Sequence, residues 1–354
     1  MKSKVLLFGD PDSIHTAKWL KGWNLLGYDT YLSGLSAIRK NSEFIFYGNI
    51  SSSGGNGLSY FKNIFQFLKI LKQVDPSIIN AHYLTSYGLI SALIKRKKDI
   101  LIMSLHGTDI MKTMDKNFAY LFMAKYTLYK SDLIVSVSEA MTNKILKKFP
   151  SLEKKILTQQ YGVEIKLLNN FNNQEKDIFL LTNRQWKKNS NYPVILKVVD
   201  HFKTKNIKII GFDKSVYSRK LVLNFKNFKK YSTGLIPYEE NLKYVGKSKI
   251  FVSLTSSDGI SLSLIEAMYL GAIPIVSNIE PNKELIEDRV NGFLVSISEE
   301  DLITKIQEVS ELTEIEISAI QCANKKLVLQ KFDINKNFNN LKKTIIQLNS
   351  LYDR

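Results

Sequence analysis

Residues 250–295 read IFVSLTSSDGISLSLIEAMYLGAIPIVSNIEPNKELIEDRVNGFLV, and the order of elements in this segment decides the fold. The apolar run Ile250–Leu254 is typical of a buried strand. A polar loop follows, and then an apolar helix that begins near Ser261 and stops at Gly271. Ile273–Val276 forms the next strand. Strand, helix and strand in this order predict one step of a parallel α/β sheet.

The helix of this segment carries a carboxylate where its pattern predicts burial. It is apolar on nearly every face, yet it contains Glu266, with Ser263 on the same stripe three residues earlier. A buried carboxylate is costly unless other groups hydrogen-bond to it. Asp258 lies just before the helix, where free backbone N–H groups and the helix dipole attract anions.

Two interpretations of this arrangement remain open. In the first, Asp258 and Glu266 bind sugar hydroxyls of a ligand whose phosphate rests on the helix N-terminus. In the second, Glu266 pairs with a neighbouring lysine or backbone N–H. The backbone that would hold the phosphate belongs to four residues, Gly259, Ile260, Ser261 and Leu262.

The same segment resembles the nucleotide-sugar motif of the family-four GT-B glycosyltransferases, which carry a Glu-x7-Glu pair at this place. The resemblance rests on Asp258, on Glu266-Ala-Met268, on the turn Gly271-x-x-Pro274 and on Glu284 followed by Asn291–Val295. Asp258 departs from the family's glutamate by one methylene. The resemblance implies an α/β fold of the GT-B type, with two Rossmann-like domains that face each other across a cleft.

Composition limits the class of protein. The chain of 354 residues is long enough for two domains, and 44% hydrophobic with 23% charged residues is typical of a soluble globular protein. One cysteine and four histidines without metal-ligand spacing predict no metal site and no disulfide. Neither a secretory signal nor an apolar run of about 18 residues is present, so we expect a cytoplasmic protein.

The net charge of +17 points to anionic partners. Residues 1–170 carry 23 Lys and Arg against 12 Asp and Glu, whereas the remainder carries 27 against 21. The basic excess is therefore +11 in the first part and +6 in the second. Nucleic acid, an anionic membrane surface and acidic sugar phosphates are the candidate partners.

One helix of the first part offers two interpretations. Tyr60–Lys72 has apolar residues on one face and lysines beside them. Such a helix normally covers a sheet, which is the favoured interpretation. The other is an interfacial helix that lies on anionic lipid at the inner membrane face, with Lys95–Lys98 adding attraction.

Two histidines lie near predicted strand ends. His15 follows the first strand on a helix that Ser13 caps, and we interpret it as a helix-surface residue. His106 comes directly after the strand Ile100–Ser104, at the sheet edge where α/β proteins bind ligands. His106-Gly-Thr-Asp109 resembles a family motif whose histidine reaches toward the transferred sugar, and Asp109 is expected to cap the next helix.

The domain boundary is predicted near residue 170. Tyr161-Gly-Val-Glu164 resembles the family's turn at the end of the first domain, and the polar stretch Asn169–Lys176 reads as a linker. This assigns 1–170 to an acceptor-binding domain and 171–334 to a nucleotide-sugar-binding domain. The last helix, about 335–354, has an apolar stripe that is expected to pack back on the first domain.

The loop after the strand Ile178–Leu181 is basic. In the family an arginine and a lysine at this place reach the donor diphosphate, and the resemblance assigns these roles to Arg184 and Lys188, with Lys187 a close competitor. Two cations suit the chemistry because a departing nucleoside diphosphate gains negative charge. The alternative is a basic loop at a domain junction. Ile236 is implied as the backbone contact of the nucleobase.

The resemblance implies a retaining glycosyltransferase. The implied reaction moves a hexosyl unit from a nucleotide sugar, UDP-sugar being favoured, to a glycan or lipid-linked glycan in cell-surface polysaccharide synthesis. Neither a metal nor another cofactor is expected. Two alternatives remain: a non-catalytic partner subunit with the same fold, and a basic nucleic-acid-binding α/β protein, which the scattered basic residues do not favour.

Overall fold

The computed structural model describes residues 3–35, 45–49, 57–211, 215–223, 225 and 228–352. The chain forms two compact units, the first from Met1–Tyr161 with Ile334–Arg354 and the second from Gly162–Asp333. The division therefore falls after Tyr161 and not near residue 170. The short helix that ends at Asn169 belongs to the second unit, because the Tyr269 hydroxyl donates a hydrogen bond to Asn169 Oδ1 (2.6 Å).

The first unit is built on a parallel sheet of seven strands in the order β3-β2-β1-β4-β5-β6-β7. Its strands are β1 (Lys4–Phe8), β2 (Asp29–Gly34), β3 (Ile45–Asn49), β4 (Ile78–His82), β5 (Ile100–Leu105), β6 (Leu133–Ser136) and β7 (Ile156–Thr158). Its helices are α1 (Ile14–Leu25), α2 (Gly57–Val74), α3 (Tyr87–Ile94), α4 (Phe118–Lys130), α5 (Glu139–Lys148) and the C-terminal α15 (Ile334–Tyr352). The strand order reverses beside β1, where Leu7 is in register with Leu32 of β2 and Asn80 of β4. Such a reversal creates the crevice in which α/β proteins bind ligands.

The second unit is built on a parallel sheet of six strands in the order β10-β9-β8-β11-β12-β13. Its strands are β8 (Ile178–Thr182), β9 (Ile207–Ile210), β10 (Ser232–Gly234), β11 (Ser248–Ser253), β12 (Ile273–Ser277) and β13 (Phe293–Val295). Its helices are α6 (Ile165–Asn169), α7 (Tyr192–His201), α8 (Val216–Leu223), α9 (Phe228–Tyr231), α10 (Tyr238–Gly246), α11 (Leu262–Tyr269), α12 (Glu280–Lys283), α13 (Glu299–Ser310) and α14 (Glu314–Lys331). The strand β11 is central, because Ile250 is in register with Leu180 on one side and Ile273 on the other.

The β11-α11-β12 step confirms the prediction made from residues 250–295. Ser261 is the N-cap of α11, and its hydroxyl accepts a hydrogen bond from the backbone N–H of Leu264 (3.4 Å). Gly271 follows the helix with φ +75°, a left-handed conformation that favours glycine. Every residue of α11 except Ser263 is buried, as its all-round apolar pattern predicts.

The C-terminal helix α15 belongs to the first unit and packs on α1. Phe338 is 1% exposed, and its ring lies edge-on to the rings of Trp19 and Trp23 of α1, with centroids 5.2 and 6.1 Å apart. Gly22 of α1 makes this approach possible. A Cβ added there would lie 2.0 Å from Cζ of Phe338.

Gly22→Ala is expected to destabilise the first unit by about 2 kcal/mol, because the added methyl overpacks the contact between α1 and α15. Urea unfolding of both proteins measures the difference. Gly27→Ala is a poor control, since Gly27 has φ +81°, so Lys21→Ala on the exposed side of α1 serves instead. Equal midpoints for Gly22→Ala and the wild type would contradict the packing argument.

Helix α2 is a sheet-covering helix, as the favoured interpretation of Tyr60–Lys72 states. Its apolar residues from position 64 onward contribute to the core of the first unit. The interfacial interpretation is therefore wrong for the apolar face from position 64 onward, which is buried or half-buried apart from Phe65, 73% exposed. Tyr60 and Phe61 lie outside the residues whose side chains are described. Within the part of the chain that is described, no helix combines the length and hydropathy needed to cross a bilayer.

Candidate functional site

Arg184 lies beside the N-terminus of α11. It follows β8, whereas Asp258 and Ser261 follow the adjacent β11, so all three side chains lie at the carboxyl edge of the second sheet. Arg184 Nη1 donates a hydrogen bond to Ser261 Oγ (2.6 Å), and Nη2 forms an ion pair with Asp258 Oδ2. The side chains of Arg184 and Asp258 are 19% and 21% exposed. A charged pair that borders solvent at a helix N-terminus is suited to binding a polar, anionic ligand.

Contacts with Tyr192 and Gly211 hold the backbone of the loop that carries Arg184. The Tyr192 hydroxyl donates to the Arg184 carbonyl (2.5 Å), and Trp186 stacks on the Tyr192 ring with centroids 4.1 Å apart. Gly211 passes close to the same carbonyl, since a Cβ at Gly211 would lie 3.0 Å from it. Burial of the Tyr192 phenol raises its pKa. Arg184 therefore projects from a backbone held on two sides.

Two asparagines tie this loop to the loop after β11. The backbone N–H of Ser256 donates to the Asn189 carbonyl (2.8 Å), and Asn189 Nδ2 donates to the Ser257 carbonyl (3.2 Å). Asn191 Nδ2 donates to the Leu254 carbonyl (2.6 Å), and Asn191 itself has φ +50°. These side chains fix the distance between Arg184 and Asp258. Sequence reasoning missed Asn191, although asparagine before Tyr192-Pro is a turn signal.

Glu266 is buried and has a tyrosine as partner. It is 2% exposed, and the Tyr238 hydroxyl donates a hydrogen bond to its Oε1. Neither interpretation of Glu266 named this tyrosine as a partner. Tyr238 begins α10, two residues after Ile236. The sequence signal was a tyrosine in the Gly234–Glu240 loop, but nothing local indicates that it reaches α11.

The remaining predicted residues of the second unit are not gathered in the same way. Lys187 and Lys188 are exposed, and across the described residues their ammonium groups make no hydrogen bond or ion pair. The convergence of two cations therefore stays a prediction, and only Arg184 is beside Asp258. Ile236 is half-buried just before α10. Gly259 donates its backbone N–H to Asp258 Oδ1 (2.9 Å), so that carboxylate is held by both its own turn and Arg184.

Three of the four histidines meet in the first unit. His106 follows β5, and its ring stacks on His15 with centroids 4.8 Å apart, while His82 at the end of β4 lies edge-on at 4.7 Å. His15 Nδ1 is hydrogen-bonded to the Tyr161 hydroxyl. The interpretation of His15 as a helix-surface residue is therefore wrong, because its ring is part of this cluster. Sequence reasoning did not single out His82.

Burial keeps two members of this cluster, His82 and His106, uncharged. It lowers the pKa of His82 to about 3 and holds the pKa of His106 well below its usual range, because an imidazolium there would lose its hydration. Asp109, also buried, has a pKa raised to about 6, although its Oδ1 accepts hydrogen bonds from the backbone N–H groups of Gly107 (3.0 Å) and Ile110 (3.2 Å). Asp109 thus holds its own turn, but the expected capping role is wrong, because Asp109 is the first residue of the short helix Asp109–Thr113 and Thr108 is its N-cap.

Several buried polar atoms of the first unit have no hydrogen-bond partner among the described residues. They occur in α1, β2 and the segments that follow β4 and β5, around the histidine cluster. Buried polar groups are rarely left unpaired, so waters or ligand hydroxyls belong there. These atoms are Thr16 Oγ1, Trp19 Nε1, Ser33 Oγ, Asp109 Oδ2 and both ring nitrogens of His82 and of His106.

A cavity of about 990 Å³ opens on the second unit, but away from Arg184. It is lined by residues at the amino ends of the strands, among them Phe179 and Ile250, and by Lys176, whose Nζ donates to the Leu270 carbonyl (2.7 Å). Burial lowers the pKa of Lys176 to about 8. None of the predicted site residues lines this cavity. Parallel sheets bind ligands at the opposite, carboxyl edge, so we assign the candidate site to Arg184, Asp258, Ser261 and Glu266.

Two parallel α/β units with polar side chains at the carboxyl ends of their strands define the GT-B class of fold. Two family models match the chain: Glycosyl transferase 4-like over residues 4–138, and Glycosyl transferases group 1 over residues 164–326. The chain belongs to the family-four GT-B glycosyltransferases.

Individual relatives agree with this assignment. An uncharacterized glycosyltransferase of Methanocaldococcus jannaschii is 30% identical over 60% of this chain and 59% of its own length. A capsular polysaccharide biosynthesis glycosyltransferase of Staphylococcus aureus is 25% identical over 62% of this chain and 65% of its own. The match thus spans less than two thirds of either relative. The fold is similar to Anabaena HepE in complex with UDP, at 12% identity with a TM-score of 0.76, over 98% of this chain and 100% of that one.

Proposed function

We propose that this chain transfers a hexosyl unit from a UDP-sugar, with retention of configuration, to a hydroxyl of a glycan or lipid-linked glycan in cell-surface polysaccharide synthesis. The observation that carries the proposal is the Arg184 guanidinium, hydrogen-bonded to Ser261 and paired with Asp258 at the N-terminus of α11. The UDP complex of HepE supports the choice of donor, and the staphylococcal capsule enzyme supports the product class.

The chemistry follows from where negative charge develops. As the bond between the sugar and the diphosphate breaks, the leaving UDP gains charge on its β-phosphate. Arg184 and the N-terminus of α11 interact more strongly with the donor in the transition state, where this charge has developed, than in the ground state. This difference lowers the activation barrier. Lys188, or Lys187 beside it, is the proposed second cation. With cationic side chains in this role, the reaction is proposed to need no metal ion, so chelation with EDTA should leave turnover unchanged.

The two carboxylates have separate roles in the proposal. Glu266 is buried and accepts hydrogen bonds, so it suits the ribose hydroxyls of the nucleotide. Asp258 borders solvent and stays aligned by Arg184 and the Gly259 N–H, so it suits hydroxyls of the donor sugar. His106 is proposed to bind a sugar hydroxyl through a ring nitrogen, since burial keeps the imidazole neutral and able to donate or accept.

Release of UDP tests the proposal directly. The purified chain is incubated with UDP-glucose, UDP-galactose and their N-acetylated forms, each with and without a glycan acceptor fraction, after a thermal-shift screen has ranked the donors. Acceptor-dependent UDP release with an α-linked product supports a retaining transferase. UDP-sugar binding without release under any acceptor condition would assign the chain to the non-catalytic alternative.

Glu266→Gln is expected to raise the dissociation constant for UDP about 10- to 100-fold, because charge-assisted hydrogen bonds to the ribose become neutral ones. Isothermal titration with UDP measures this change. Tyr238→Phe is the matched control, since it removes one hydrogen bond to Glu266 and retains the carboxylate. An unchanged dissociation constant for Glu266→Gln, or an equal loss for Tyr238→Phe, would count against a ribose contact.

A further inference from the structure

The outer face of α4 is aromatic and exposed to water. Phe118 is 82% exposed, Phe122 62% and Tyr129 42%. With Lys125 they are spaced by four, three and four residues, so they lie along one line of the helix. The other side of α4 packs on the core of the first unit. Its buried residues are Ala124, Thr127 and Leu128.

This face is unusual for the chain. Five of the 13 residues of α4 are aromatic, against 11% of the whole sequence. Transfer of a phenylalanine ring out of water lowers the free energy. Two exposed rings one helical turn apart therefore indicate a surface that another phase or molecule covers. The face is convex, because it is the outer side of a surface helix, and therefore suits a flat partner better than a small ligand.

The charge around the face selects the partner. Residues 116–131 contain no aspartate or glutamate but include Lys116, Lys125 and Lys130. Asp115, the nearest carboxylate upstream, is neutralised by salt bridges to Lys144 and Lys148, both 3.0 Å long. The surroundings are therefore positive, and a second copy of the same face would be repelled. Aromatic rings bordered by lysines match the anionic surface of a lipid bilayer.

We propose that the α4 face, defined by Phe118, Phe122, Lys125 and Tyr129, docks the chain on an anionic lipid bilayer. Phe118 and Phe122 enter the boundary between headgroups and acyl chains, and Tyr129, whose hydroxyl is hydrogen-bonded to Ser151 Oγ (2.8 Å), lies at headgroup level. Lys125 and its neighbours contact lipid phosphates. The docking element is thus α4 rather than the helix at Tyr60–Lys72, whose apolar residues from position 64 onward contribute to the core apart from Phe65.

Vesicle flotation tests the proposal with the full chain and no nucleotide sugar. The vesicles are phosphatidylcholine alone, or phosphatidylcholine mixed with phosphatidylglycerol. Binding is expected only to the mixed vesicles. Phe118→Ser combined with Phe122→Ser is expected to lower the partition coefficient about 10-fold or more. Each of Lys116→Gln, Lys125→Gln and Lys130→Gln is expected to lower it about fivefold at low salt.

A matched control removes two similarly exposed apolar side chains elsewhere. Leu223 and Ile315 of the second unit are 81% and 82% exposed, so Leu223→Ser combined with Ile315→Ser is expected to leave flotation unchanged. Circular dichroism melting checks that each variant folds, and exposed positions are not expected to shift it much. Equal flotation of the wild type and the double phenylalanine variant on mixed vesicles overturns the proposal.

The same proteins distinguish one other occupant of this face, a second copy of the chain. Sedimentation velocity without vesicles reports self-association, and a dimer that the double phenylalanine variant dissociates would assign the α4 face to a second copy and overturn the proposal. Because flotation requires neither donor nor acceptor, its failure leaves the glycosyl-transfer proposal intact. Failure of UDP release would likewise leave membrane docking intact.

Discussion

Arg184→Ala is expected to lower turnover about 100- to 1,000-fold, which corresponds to about 2.7–4 kcal/mol of transition-state stabilisation. The physical reason is that, in the proposed mechanism, the guanidinium meets the charge that the leaving diphosphate acquires only as the glycosidic bond breaks. Steady-state kinetics at saturating donor measure the change. The Michaelis constant for the donor is expected to change less, because the lost interaction is strongest in the transition state.

Two further variants sharpen this test. Arg184→Lys keeps the charge but cannot hold Ser261 and Asp258 with separate nitrogens, so it is expected to recover only part of the turnover. Ser261→Ala removes the N-cap and one contact of Arg184 but leaves the guanidinium charge in place. It therefore separates the effect of helix capping from the effect of that charge. Wild-type turnover in folded Arg184→Ala would remove the basis of the proposed mechanism.

Acidification is expected to destabilise the first unit, and His82 gives the largest effect. Its pKa is about 3 in the folded chain against 6.5 for an exposed histidine. Between these two values the unfolded chain binds a proton that the folded state excludes, so stability falls as the pH falls from 6.5 towards 3. The loss through His82 reaches about 4 kcal/mol at the acid end of this window.

Neighbouring groups modify this dependence in known directions. The pKa of His106 is also lowered, so it adds to the acid destabilisation. The pKa of Asp109 is raised from 3.8 to about 6, so its folded form binds a proton more readily and opposes the loss between those values. The destabilising effect of His82 and His106 is expected to be larger than the opposing effect of Asp109. The stability of the first unit is therefore expected to fall as the pH falls, as it does for His82 alone.

Urea unfolding is measured at pH 6.5, 5.5 and 4.5, and peptides of each unit are followed by mass spectrometry. This gives the change in unfolding free energy with pH for the first unit alone. His82→Gln cannot take up the proton and is expected to flatten the dependence. His201→Gln, at an exposed position of the second unit, is the matched control. An unchanged slope in His82→Gln would show that burial of this imidazole does not govern acid stability.

Local sequence was sufficient for the elements around α11. Alternation of apolar strand and all-round apolar helix, with Ser261 before the helix and Gly271 after it, depends on interactions within a few residues, and the structure confirms each of these features. The family motif was local as well, since Asp258 and Glu266 are held at a fixed spacing by one loop and one helix. Such short-range information survives in a single sequence.

Contacts between distant segments were not accessible in the same way. The meeting of Tyr238 with Glu266 depends on how α10 packs beside α11, and the meeting of His15 with His106 depends on the order of β1, β4 and β5 in the sheet. The helix at Tyr60–Lys72 shows the same limit. Its apolar face predicted burial against something, but sequence alone did not distinguish a sheet from a membrane.

What the sequence by itself determined is the alternation of strands and helices, which follows from periodicity and capping. It also indicated the glycosyltransferase family and the candidate donor motif, which rest on the resemblance of residues 258–295 to a known motif. Only the tertiary structure decided that Arg184, and not a lysine, forms the ion pair with Asp258. It also decided that the ring of His82 contacts that of His106 and that the aromatic face of α4 is exposed. The physical reason is that ion pairs, buried titratable groups and exposed faces are defined by which distant segments pack together, and that packing leaves no local pattern.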